Sequence, residues 1–494
     1  MIRRAYLCPT ALGVMFSIFF AAAISRSAMA QESCSDLTTT PPIEYKLGVP
    51  TDAVAKRLLD QIDYQRAIQM YLWGLPAVGT RQYRLGNAKV MGGGSDDWKV
   101  GYLGSLLKAS LLHLTGNPDS MYIDYFFDTH NGPIALELPA DLPGFLDDMW
   151  EMPVIDMIPP VSPTGKYLIA PPGWQGTVPE GFVVARPKTY GSWMLLRGGV
   201  SKDGTTTAAV NSMKEHLKIY PLSEMGKPPS HPLQFFDISD SGADRLPPDG
   251  LRYFEVLGGL VSNEHPNMQD PYVMGMLKAI GMEPGKPFQP DARMKHILAC
   301  AAETGRAMAS TISFYKPEAQ WHDRKFVKAF SGGSPEFTVD GAALHDARTF
   351  FFYMACGTSK LMASTTPDVG QAYPSGVRDG KGDLFDGSKT YKLHLPPNVP
   401  AKLYWSITLY DSVTRSILDN GTPAARISTF TDPVANADGS YDLYFGPKPV
   451  AGKEKNFVRT VPDKGWFFLF RLYGPQEAYF DGKWKPDDLV EVKS

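Results

Sequence analysis

Asp411, Thr414, Arg415, Asp419 and Asn420 close the stretch Leu403–Asn420, LYWSITLYDSVTRSILDN. A carboxylate, a guanidinium, a hydroxyl and an amide in one knot could bind an anion or a hydroxyl, because the guanidinium fork offers bidentate geometry. Each residue also has an ordinary task. Asp411 can form an Asx turn, Arg415 can pair with Asp411 or Asp419, and Asn420-Gly421 is a turn dipeptide. The structural task is the stronger expectation for Asp411 and Arg415.

A second charge stands out in WFFLFRLYG, where Arg471 lies in an otherwise apolar strand. Phe468, Phe470 and Leu472 share one face, and Arg471 shares the other with Phe467, Leu469 and Tyr473. That second face is too apolar to be simply solvated, so a domain is expected to pack on it. A buried guanidinium then needs a partner, and Asp411 is the expected one.

Two further segments concentrate polar groups. In GNPDSMYIDYFF, Asn117-Pro118-Asp119 is a turn formula, while Tyr122 and Asp124 share a strand face. Such a carboxylate could orient a substrate hydroxyl or hold a hard cation, so a divalent cation is the cofactor these residues suggest. In YPSGVRDGKGDLFDG, Tyr373, Arg378 and Asp379 precede Asp383 and Asp386. EF-hand spacing is absent and a plain glycine-rich loop is the better reading; Arg378 would be its anion binder.

The common catalytic signatures are missing: no GxSxG, no HExxH and no Walker loop. Ser105-Leu106-Leu107-Lys108 matches SxxK by chance, without the SDN or KTG that should follow. The nine histidines show no ligand spacing. Glu264-His265 and His322-Asp323 are sequence neighbours, which usually point apart.

These groups need elements to position them. Arg3 and Arg4, an apolar run over Ala11–Ile24 and Ala28-Met29-Ala30 read as a signal peptide over 1–30. No later segment is long and apolar enough to span a membrane. Losing Arg3, Arg4 and Arg26 shifts the formal charge from −3 by three, to −6. This gives no footprint for nucleic acid. Cys34, Cys300 and Cys356 allow one bridge and one free thiol; Cys300, in a helical pattern, reads as a small buried hydrophobe.

Residues 31–50 read as a loose lead-in. A helix is expected over Asp52–Leu72, with Val54, Leu58, Ile62, Ala67, Ile68 and Tyr71 on or near one face, ended by Trp73-Gly74-Leu75-Pro76. Short strands follow at Tyr122–Phe127, Pro133–Leu138, Lys166–Ala170, Phe182–Ala185 and Trp193–Leu196, as in an antiparallel sandwich. The middle is helical. Asp291–Tyr315 is its clearest element, with Met308 on the packed face, and Leu344–Leu361 is a second helix. Strands return at Tyr391–Leu395, Tyr404–Tyr410, Tyr441–Phe445 and Trp466–Leu472. With 46 glycines and 42 prolines, many short strands and turns are expected.

NPDSMY, GPIALELP, GDLFDGSKTYKLHLP, YWSITLYDSVTRSILDN, DGSYDLYFGP and WFFLFRLYGP together resemble bacterial exported proteins that pair domain of unknown function 1254 with domain of unknown function 1214. The first would match roughly Tyr64–Arg197, the second roughly Tyr373–Pro486. Ser120 stands where that family usually has Thr. The resemblance implies β-sandwich or jelly-roll-like domains, export to the periplasm or medium, and often homo-oligomers. It supplies no reaction.

The expectation is therefore a mainly β, α+β protein: residues 51–204 an N-terminal helix plus β-sandwich, 205–372 a helical middle, 373–494 a C-terminal sandwich. Two functions stay open. One is a hydrolase or lyase acting on a small polar or sugar-like molecule in an inter-domain cleft. The other is a non-catalytic ligand-binding or envelope-associated protein.

Overall fold

The computed structural model describes residues 33–40, 42–95, 97–200 and 204–492. The expected signal segment, with Arg3, Arg4 and its cleavage site, lies outside them. Alternation of apolar side chains builds two antiparallel-rich sandwiches, and the fold is α+β, with a long N-terminal helix and further helices between the sandwiches.

In the first sandwich a six-stranded sheet runs Gln234–Asp237, Lys99–Tyr102, Met121–Asp128, Gly191–Gly198, Gly144–Asp148, Pro153–Met157. It faces a four-stranded sheet containing Ile134–Glu137 and Lys166–Ile169. Met121, Ile123, Tyr125 and Phe127 pack between the sheets with Leu136, Tyr167 and Ile169. The alternate residues Tyr122 and Phe126 belong to a different core, shared with the helices and the second sandwich. Met121–Asp128 is therefore buried on both faces.

In the second sandwich Gly465–Pro475 is central and pairs antiparallel with Ala401–Asp411. Trp405, Ile407, Leu409, Phe468, Phe470 and Leu472 are buried, as are Leu393, Leu443 and Phe445 on the facing sheet. Leu403 departs from the alternation and is 70% exposed, because the pairing slips between Ala401 and Tyr404.

The first helix does not stop at Pro76. It runs Asp52–Val90, 39 residues. A proline inside a helix removes one N–H and costs about 3 kcal/mol. Here tertiary contacts offset it: Arg348 donates to the carbonyl of Trp73 at 2.7 Å and lies 4.0 Å over its ring, and Leu75, Pro76 and Ala77 are buried. The helix's first half packs on the middle helices, with Tyr64 bonded to Thr304 and the Tyr71 carbonyl accepting from Tyr253. Its second half reaches the six-stranded sheet, where Tyr83 donates to Asp124. Ile62 is exposed rather than on the packed face.

The Ala292–Tyr315 helix starts as expected, with Asp291 accepting from Met294 N at 2.7 Å. Met308, however, is 43% exposed. The packed seam runs through Gly305 and Ala309, since the Tyr71 ring occupies the space a Gly305 Cβ would need. The next helix ends at Met354, short of Leu361, because Ala355 is extended and Gly357 takes φ +79°. Cys300 is bridged to Cys34, Cα atoms 5.7 Å apart, which corrects its reading as a plain buried hydrophobe and ties down the lead-in; Cys356 is free.

Candidate functional site

Two sheet faces of different sandwiches meet. From the first come Tyr122 and, directly across the ladder, Arg197. From the second come Phe467, Leu469, Arg471 and Tyr473, with Thr408 opposite Leu469 and Ser406 opposite Arg471. The loop His113–Asn117 is sewn into this junction. His113 N donates to Ser416 Oγ at 3.2 Å, and Thr115 N to the Arg415 carbonyl at 2.8 Å. Tyr410 donates to the Gly116 carbonyl at 2.8 Å, and Asn117 Nδ2 to Tyr473 Oη at 2.6 Å. Thr115 sits at φ +38°, an unfavourable region for a β-branched residue, held there by these bonds.

A cavity of about 70 Å³ lies behind the loop. That is room for a few water molecules or a small anion. Phe145, Leu195, Phe350, Phe351, Met354 and Leu469 make its walls apolar; Arg197, Arg471, Asn117, Tyr122, Tyr373 and His113 add the polar groups. Arg471 Nη2 donates to the Thr115 carbonyl at 2.7 Å, Nη1 reaches Thr408 Oγ1 at 3.3 Å, and the guanidinium lies 5.7 Å from the Tyr410 ring centre. Arg197 lies 5.3 Å over Tyr122 and reaches Tyr473 Oη at 3.4 Å. Among the described residues no carboxylate lies within ion-pair distance of either guanidinium. Burial opposes both charges, yet the surrounding phenols hold both arginines above their ordinary values. A buried Arg471 and a partly buried Arg197 thus face a small, largely apolar space, each with phenols rather than carboxylates for neighbours among the described residues.

His113 is the neutral member. Its Nδ1 is 2.9 Å from the Leu114 carbonyl, which can only accept, so Nδ1 carries the hydrogen. Nε2 is then a buried acceptor without a partner among the described residues. Burial first, then Arg245, pull its pKa down to about 3. Cys356 Sγ lies 3.9 Å from Nδ1. Burial first, then Glu151 and Asp124, push its thiol well above the ordinary value. The pair is thiol and imidazole, not thiolate and imidazolium, so Cys356 is not an activated nucleophile at rest.

Of the residues singled out from sequence, Asn117, Tyr122, Tyr373 and Arg471 line this cavity. Asp119 does not; it pairs with Arg426 and accepts from Ser428, tying the two sandwiches together. Asp124 lies behind the wall, fully buried, accepting from Tyr83 at 2.9 Å and Trp193 at 3.3 Å, with Arg245 at 3.9 Å. Arg378 and Asp379 hold the glycine-rich loop: Arg378 donates to the Phe314 and Gly382 carbonyls, and Asp379 accepts from Lys381 N and Asp383 N. Arg415 donates to the Tyr353 carbonyl and stacks over its ring.

The expected Asp411–Arg471 pair does not form. Asp411 stands opposite Trp466 and Arg471 opposite Ser406, five positions apart on the ladder, or about 17 Å. Asp411 instead caps its own turn, accepting from Val413 N and Thr414 N, and pairs with Lys464 at 2.8 Å. The desolvation of Arg471 is as expected; its main partner is a backbone carbonyl.

Sequence reasoning missed Arg197, His113 and Cys356. Arg197 follows WMLL as an apparent strand-end charge, and no spacing links it to Arg471. A larger cleft of about 620 Å³ lies between the long helix and the six-stranded sheet, with Trp98, Asp128, His130 and Glu264 in its wall. Its acidic groups Glu264 and Asp128 are engaged within the protein: Glu264 accepts from Tyr190 N and Gly191 N, and Asp128 pairs with His130. Among the described residues no cluster of three or more His, Cys, Asp or Glu is placed to hold a metal, and no helix is long and apolar enough to cross a membrane.

Comparison with known proteins finds a protein of unknown function family, DUF1254, over residues 105–221 and a second, DUF1214, over 370–477. No curated protein matches. Among solved structures, the VPA0106 protein from Vibrio parahaemolyticus is similar at 19% identity with a TM-score of 0.52, covering 87% of this chain and all of that one. This supports the fold alone. An uncharacterized protein from Burkholderia cenocepacia is more distant, at 11% identity and a TM-score of 0.39, covering 88% of this chain and 99% of that one.

Proposed function

We propose that this chain, which pairs a DUF1254 region with a DUF1214 region, captures a small organic anion in the cavity between its two sandwiches. One observation carries the reading: Arg197 and Arg471 flank the same cavity, and among the described residues neither has a carboxylate partner. A buried charge left without an opposite charge is costly, and a carboxylate ligand would complete both guanidinium forks. The apolar walls suit an acid with a short hydrocarbon body better than a sugar.

A catalytic form of this reading, a hydrolase or lyase acting on such an acid, has one supporting feature. The bare Nε2 of His113 is a neutral acceptor that could orient a bound hydroxyl or water by a hydrogen bond, although its lowered pKa makes it a weak base. Export is part of the proposal. The Cys34–Cys300 bridge supports it, because such bridges persist in oxidising compartments. An intact mass from the native host beginning near Gln31 is the expected result; a mature chain that retains Arg3 would sink export.

The anion reading is tested by thermal melts with formate, acetate, propionate and benzoate at constant ionic strength, against chloride. At least one short carboxylate should raise the melting temperature of wild type and leave an Arg197→Met/Arg471→Met double variant unmoved. No response of wild type to any of them would overturn it.

A further inference from the structure

Tyr473 stands one layer behind the cavity wall, where both arginines and the His113–Asn117 loop converge. Asn117 Nδ2 at 2.6 Å and Arg197 Nη1 at 3.4 Å can only donate, so its oxygen accepts from both. Its ring stacks on Tyr404 at 4.1 Å. The titratable groups around it come from every neighbouring element: Arg197, Arg471, Tyr122, Tyr404 and Tyr373, with neutral His113 beyond. None of them is a carboxylate. Burial works against a phenolate here, yet the fields of Arg197 and then Arg471 outweigh it and hold this phenol below its ordinary value, whereas Tyr122, Tyr373 and Tyr404 are all raised. Of the five phenols around the arginines, Tyr122, Tyr373, Tyr404, Tyr410 and Tyr473, only Tyr473 is held below its ordinary value.

We propose that Tyr473 is the internal counter-ion of the Arg197–Arg471 pair, and that an organic anion entering the cavity replaces it while Tyr473 takes up one proton. This rests on the anion-binding reading. The balance is simple: tyrosinate, a proton from solvent and the free anion become neutral tyrosine and bound anion. No other bond changes, and the buried charge stays constant. Anion and proton therefore bind together. Affinity is flat with pH while Tyr473 is protonated in the free protein, then falls about tenfold per pH unit above that transition.

The experiment is calorimetric titration of the full chain with propionate between pH 6 and pH 10, at each pH in two buffers of different ionisation heat. Binding heats should differ between buffers by one proton taken up at the higher pH values, with loss of the near-ultraviolet tyrosinate band on binding. Tyr473→Phe should bind propionate with no proton uptake and no band change. Propionate binding without buffer dependence or band loss at any pH overturns the counter-ion role and leaves the cavity reading standing. Absence of binding by wild type, to propionate and to the other short carboxylates, overturns the cavity reading itself. Should Tyr473→Phe not fold, the wild-type heats and spectra still decide.

Discussion

The Arg471 guanidinium donates to the carbonyl oxygen of Thr115 at 2.7 Å, joining the last long strand to a loop of the other sandwich. Replacement by Met removes the charge together with its need for a partner, and Tyr410 remains 3.4 Å from the orphaned carbonyl. Arg471→Met should lose about 1–3 kcal/mol, the scale of a charged hydrogen bond, and should lose the melting response to short carboxylates. Denaturant unfolding with and without propionate measures both; an unimpaired propionate response would remove Arg471 from the site.

Asp411 is a lesser residue than its surroundings suggest. Its carboxylate meets a half-exposed Lys464, and asparagine can keep the Asx turn through its side-chain oxygen. Asp411→Asn should cost less than about 1 kcal/mol. A chemical melt showing a loss of several kcal/mol would mean that the carboxylate has a buried partner.

Glu151 should carry a proton. Thr80 Oγ1 has one hydrogen and two acceptors, the Pro76 carbonyl at 2.9 Å and Glu151 Oε1 at 2.8 Å. If Thr80 serves the carbonyl, Glu151 must donate to Thr80, while its other oxygen accepts from Gly357 N at 2.6 Å. Burial pushes its pKa up to about 8. The folded state then holds a proton that the unfolded state has released between the ordinary carboxyl value and about pH 8. Stability falls as pH rises through that window. Glu151→Gln mimics the protonated acid, so its unfolding free energy should fall less between pH 5 and pH 8, by a difference on the order of a few kcal/mol. Parallel pH profiles for the two proteins would contradict this.

On the Ala292–Tyr315 helix, Gly305→Ala would set a Cβ 2.6 Å from the Tyr71 ring. Overpacking of that kind typically costs about 1–3 kcal/mol. Met308→Lys, one turn on and exposed, should stay within about 0.5 kcal/mol. Circular-dichroism melts should rank the two clearly; the reverse order would place the packed seam on Met308.

Legibility in the sequence followed the kind of interaction. Both long C-terminal strands could be read because their alternation is set by side chains that bury themselves. The desolvation of Arg471 could be read because a lone charge in an apolar run stands out. Its partner could not, because a backbone carbonyl leaves no mark in residue spacing. The Pro76 passage was hidden for a related reason: the donor that offsets it, Arg348, is remote in sequence. Strands Gly144–Asp148 and Pro153–Met157 were masked by acidic residues, yet Asp147 and Asp148 are buried there on the N–H groups of Thr358, Trp150 and Met152. Arg197 reads as a solvated strand end because the strand that covers it, Gly465–Pro475, comes far later in the chain.

Each matched region contributes one guanidinium: Arg197 falls within 105–221 and Arg471 within 370–477. A gene cut between the regions would yield two sheets, each presenting an aromatic face with an arginine on it, and under the anion-binding proposal neither product would carry the complete site. Loss of either segment is then loss of both, which favours transmission of the two as one open reading frame.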